Sequence, residues 1–139
     1  MIEQIRQATH IFKQTKMAWL SISGGMLIVL GSWLPWFSLF AGLQPYHGVD
    51  VVNGRLLLGG GVFSITAGVW LWRHSGVRLR WSIGLWGFLL LAFAAWSLLQ
   101  LLFIYRQLDT DPLMVVGLGP GLFVVIGGAS LIFATLFVE

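Results

Sequence analysis

Four stretches of this chain, about 17–40, 55–72, 81–105 and 112–138, are apolar with almost no charged side chain in them. Each approaches or exceeds the roughly 20 residues a helix needs to cross the hydrocarbon of a bilayer. A helix in a water-soluble bundle keeps a polar stripe, and these segments have none. The rest of the chain cannot supply a water-facing coat. Of 139 residues, 58% are hydrophobic and 9% are charged, where a soluble domain carries about 25% charged residues. The expected fold class is an all-α integral membrane protein, a four-transmembrane-helix bundle over 17–139.

The first apolar run is longer than the core of a signal peptide and ends in LPWF, so it is expected to be retained as a span. Basic side chains set the orientation. Arg6, Lys13 and Lys16 precede span one, and Arg73, Arg78 and Arg80 lie between spans two and three. The opposite side holds Arg55 and Arg106, offset by Asp50, Asp109 and Asp111. Positive loops stay on the cytoplasmic side. Both termini are therefore expected inside the cell membrane, with loops 41–54 and 106–111 outside. Trp33 and Trp36 fall at the outer end of span one, where amphipathic indoles anchor at headgroup level. Pro35 ends or kinks the helix beside them. Trp19, Trp70, Trp72 and Trp81 would form the matching inner belt. The outer loop QPYHGVDVVNG reads as a polar loop turned by Pro45, Gly48 and Asn53-Gly54.

Residues 1–16 place Ile2, Ile5, Ala8 and Phe12 at helical spacing among polar neighbours. Two readings stand: an amphipathic helix on the inner leaflet, or a frayed tail.

Glycine carries the strongest packing signal. Gly60, Ser64 and Gly68 lie four residues apart on span two, and Gly117 and Gly121 do the same on span four, with Gly128 further along. Small residues let helix backbones approach closely in lipid. Spans two and four are thus expected to pack tightly, against each other or against a partner. GGGVFSITAG at 59–68 also matches GPGLFVVIGG at 119–128, and Trp19 with Gly25 matches Trp81 with Gly87. These matches raise a two-hairpin pseudo-repeat about an axis along the membrane normal.

Chemistry has few candidates. The chain has no cysteine, which removes disulfide and thiolate chemistry. His10, His47 and His74 all fall outside the spans, so none is placed to hold a haem, and His47 with Asp50 would hold a metal only weakly. No acid lies within a span, which argues against proton-coupled transport. Gln100, deep in span three, and Trp96, away from both belts, are the unusual residues. They either pack against neighbouring helices or contact a lipophile. No catalytic residues, metal or cofactor are expected.

LPWF at 34–37, Gly48 and Asn53-Gly54 before a glycine-rich second span, and GLGPGLFVVIGGASLIF at 117–133 give the chain a familiar outline. It resembles a group of small bacterial four-span membrane proteins with a PW motif after the first helix and a glycine-rich last helix. That resemblance implies a topology and no activity. The expected function is non-catalytic: an accessory or assembly subunit of a larger membrane complex, or a homo-oligomer, with glycine stripes as contact faces. The alternative is a lipophile-binding (lipid, quinone or pigment) or transport protein, with a pocket between spans two, three and four near Trp96 and Gln100. The bilayer and other membrane subunits are the expected partners, and nucleic acid is not.

Overall fold

The computed structural model describes residues 1–40, 42–74, 76–108, 110 and 115–138. Four helices dominate it: α1 (Ile2–Trp33), α2 (Val52–Arg73), α3 (Val77–Leu108) and α4 (Gly121–Phe133). A 3-10 turn, Ala134–Phe137, extends α4. At about 1.5 Å per residue, α2 reaches roughly 33 Å and α3 roughly 48 Å. Both are long and apolar enough to cross a membrane, and Gly121–Phe137 is a shorter apolar helix.

The first helix ends at Trp33, not at residue 40. Pro35 explains the stop, because it disfavours helical backbone in the residue before it, and Leu34 is extended at φ −74° and ψ 155°. The chain then forms strand β1 (Pro35–Leu39), which pairs antiparallel with β2 (Gln44–His47). On its other edge β1 pairs antiparallel with β3 (Gly117–Leu118), giving the order β2-β1-β3. Phe37 and Tyr46 face each other across β1 and β2 and stack, with centroids 4.7 Å apart; such cross-strand aromatic pairs help hold a hairpin. The connecting turn takes Gly42 at φ 93°, in the left-handed region that glycine enters at least cost.

This small sheet replaces the polar loop read from the sequence. Pro45 lies within β2, Gly48 opens a 3-10 turn (Gly48–Asp50), and Asn53-Gly54 belongs to the first turn of α2. The fourth helix likewise starts at Gly121. Gly117 sits in β3, opposite Ser38, and the Gly119 N–H donates to the Trp36 carbonyl at 2.8 Å. Asp109, Asp111 and Pro112, which the sequence reading used, lie outside the described residues. Residues 2–16 are helical and run unbroken into the first apolar stretch.

The helices alternate in direction, which sorts the ends. One end gathers the start of α1, the end of α2, the start of α3 and the 3-10 turn after α4. There Gln14 Nε2 donates to the Leu71 carbonyl at 2.6 Å, and Arg80 donates to the carbonyls of Leu136 and Val138 at 3.1 and 2.8 Å. The sheet, Arg55 and Arg106 lie at the other end.

In the bundle α1 is central, with α2 and α4 packed on its two flanks and α3 packed chiefly on α4. Glycines set the close approaches. A Cβ placed on Gly24 would sit 2.6 Å from the Gly128 carbonyl oxygen, and one on Gly128 would sit 2.5 Å from that of Gly24. Gly31 and Gly121 oppose each other in the same way, at 2.7 Å in both directions. On the other flank Gly25 meets Gly61, and Gly68 meets Ala18 and Ile22. Every one of these rows steps by seven residues: 24 and 31, 121 and 128, 18 and 25, 61 and 68. Seven residues come within about 20° of two full turns, so both small residues keep facing the same neighbour.

The four-residue stripe of the sequence reading drifts instead, by about 40° per step. Along it Gly60 faces Leu90 of α3, Ser64 touches both α1 and α3, and Gly68 faces α1. The second and fourth helices therefore pack chiefly on α1 rather than on each other. Gly61 and Gly68 do play the part on α2 that Gly121 and Gly128 play on α4. The two hairpins close in different registers, however. Gly25 opposes Gly61, whereas its counterpart Gly87 opposes Phe133 and Ile132, not Gly121.

Candidate functional site

Three polar or aromatic constellations lie among the described residues. The first is inside the bundle. Ser64 is fully buried and its hydroxyl donates to the Gly60 carbonyl at 2.8 Å. The same hydroxyl accepts the Trp86 indole N–H at 3.2 Å, while Ser21 donates to the Ser64 carbonyl at 2.8 Å. These bonds join α1, α2 and α3 where water is excluded. Each hydroxyl in the network donates to a backbone carbonyl. Among the described residues no buried side-chain polar atom lacks a partner. Trp86 went unnoticed in the sequence because one indole among eight tryptophans carries no mark of burial.

The second constellation is Trp36. It is 4% exposed, so it is no headgroup anchor. Its indole N–H donates to the Gly31 carbonyl at 3.0 Å. The ring occupies space that side chains on Gly48 and Gly121 would fill, at 2.6 and 2.7 Å from it. Once Pro35 turns the chain back over the end of α1, the Trp36 ring lies among these glycines. Trp33 remains 65% exposed, and Trp19, Trp70, Trp72 and Trp81 are exposed as well. Trp19 lies against Trp72 and Trp70 stacks on His74, with centroids 6.0 and 4.9 Å apart.

The third comprises the expected lipophile contacts. Trp96 is exposed, and Gln100 is exposed with its amide oxygen accepting from Asn53 Nδ2 at 3.0 Å. They line a groove of about 490 Å³ with Leu99, Phe103 and Ile104. All five residues come from α3, so the groove is an open face of one helix and not a pocket between spans two, three and four.

The histidines are dispersed. His47 Nδ1 lies 3.4 Å from Asp50 Oδ2, and that oxygen also accepts the His47 backbone N–H at 2.9 Å. Asp50 thereby closes the 3-10 turn, and an exposed pair of this kind adds at most about 1 kcal/mol. His10 lines a cavity of about 520 Å³ at the end of the bundle that gathers the basic side chains. Among the described residues no three His, Cys, Asp or Glu side chains cluster to hold a metal. Comparisons with protein-family models, with curated proteins and with solved structures return no match.

Proposed function

We propose that this chain is a four-span integral membrane protein of the cell membrane, with both termini cytoplasmic, acting without catalysis as an accessory or assembly subunit or as a homo-oligomer. The observation that carries the reading is an inverted distribution of side-chain size. Glycines set the closest helix contacts, while Met26, Phe63, Leu89, Trp96, Phe103 and Phe123 point outward and are exposed. Water would not tolerate that surface and lipid would. With six of the eight Lys and Arg side chains at one end, the arrangement suits a bilayer of fixed polarity.

The contact faces for a partner differ from those first expected. Gly60, Gly68, Gly121 and Gly128 are occupied within the bundle. Gly59 and Gly127 have nothing within 4 Å of where a Cβ would stand, so these two present open small-residue faces. The complex extracted in mild detergent should have a mass well above that of one chain. Gly59→Leu and Gly127→Leu should reduce that mass and leave the fold intact. A wild-type chain that is monomeric and free of partners would overturn the assembly reading. The lipophile reading has less behind it, because the groove beside Trp96 and Gln100 is open along α3.

A further inference from the structure

The cavity at the basic end carries more positive charge than the fold uses: Arg80 bonds the Leu136 and Val138 carbonyls, whereas Lys13 makes no hydrogen bond among the described residues. It is bounded by the first half of α1, the end of α2 and the start of α3. Gln7, His10, Lys13 and Arg80 line it, with Met17 and Leu71 buried beneath. Lys13 and Arg80 are both half-buried. Two basic side chains thus share one recess, and no carboxylate lines it among the described residues. An anion in a recess flanked by two cationic side chains is attracted by both. Its volume of about 520 Å³ is in the range of small-ligand sites.

A second recess adds the other half of a ligand. A largely apolar groove of about 730 Å³ runs along α1 past Phe12, Lys16, Trp19 and Ser23. Ile11 lines both recesses, so the cationic one and the apolar one adjoin. A cationic recess at the end of the spans beside an apolar channel along one of them suits a molecule with a phosphate head and an acyl chain. Basic pockets between spans on the cytoplasmic side commonly take such headgroups.

We propose that this end of the bundle is a binding site for an anionic phospholipid. Its phosphate would lie between Lys13 and Arg80, with His10 and Gln7 beside it, and one chain would lie in the groove along α1. The proposal rests on the membrane-spanning reading above. The test is native mass spectrometry of the detergent-extracted protein, titrated with phosphatidylglycerol or phosphatidylcholine of matched chains. Phosphatidylglycerol should be retained preferentially. Lys13→Gln should weaken its retention about fivefold, the effect of one basic side chain near an anionic headgroup. Lys13→Arg should restore it, and Arg106→Gln, at the opposite end, should change nothing. Among the described residues Lys13 makes no hydrogen bond, so its replacement should leave the bundle intact. Equal retention of the two lipids, or unchanged retention in Lys13→Gln, would overturn the site. Complete displacement by millimolar inorganic phosphate would overturn it as a lipid site and assign the cations to a soluble phosphate. Sedimentation of cell membranes without detergent tests the spanning reading separately. A chain that remains in the supernatant fails that reading, whereas a membrane-bound chain without lipid preference fails this proposal alone.

Discussion

Adjacent glycines on α4 offer a stringent test of the packing. Gly127 has nothing within 4 Å of an added Cβ, whereas a Cβ on Gly128 would meet the Gly24 carbonyl oxygen at 2.5 Å. Alanine at either position makes the same chemical change in the same helix. The gain in helix propensity, about 1 kcal/mol, should therefore appear in both variants. What differs is the steric cost. Ordinary contact begins near 3.4 Å, so Gly128→Ala must separate α1 and α4 locally by about 0.9 Å, a loss felt by every atom pair along that contact. The obstacle is backbone, which cannot rotate aside as a side-chain tip can. Inserting a methyl group into a packed contact costs about 1–3 kcal/mol. Unfolding in mixed micelles, followed by tryptophan fluorescence, should place Gly127→Ala at or above wild type. Gly128→Ala should lie about 2 kcal/mol below Gly127→Ala, toward the middle of that range. Equal stabilities, or the reverse order, would refute the direct apposition of α1 and α4 through glycine.

Two further outcomes follow from the buried indoles. Trp36→Ala should cost about 3–5 kcal/mol, the usual loss for a buried large aromatic, while Trp33→Ala should change stability by no more than about 0.5 kcal/mol. Both can be measured in the same micelle assay, and an aqueous quencher should reach Trp33 and spare Trp36. Removing the Ser64 hydroxyl should destabilise the bundle by about 0.6 kcal/mol. A double-mutant cycle of Ser64→Ala with Trp86→Phe should show coupling between them, and strict additivity would mean that the hydroxyl–indole bond contributes nothing.

Helix identity was legible in the sequence from its long uncharged apolar runs, and the helices at 52–73 and 77–108 lie close to the segments read at 55–72 and 81–105. The sheet was not legible. PWFSL is as apolar as the helix before it, and only its partners at 44–47 and 117–118, distant in sequence, make it a strand. Pro35 marked the end of the helix but not what came next. Glycine was recognised as packing material, yet a four-residue rule selected Gly60 and Gly117 and passed over Gly24, Gly25, Gly31 and Gly61. The seven-residue spacing within each of the four rows was present in the sequence and could have found them. Trp36 resembled Trp33 as an interfacial ring. Its burial depends on the chain turning back across Gly31, Gly48 and Gly121, which no local pattern encodes.

The natural chain has no cysteine, so a single introduced thiol reports one position without background. Leu43→Cys lies at the sheet end and Arg78→Cys at the basic end, both exposed. A membrane-impermeant maleimide applied to intact cells should label Leu43→Cys, and should reach Arg78→Cys and Ile2→Cys only after lysis. Labelling of Leu43→Cys and Arg78→Cys from the same side would contradict the membrane-spanning arrangement.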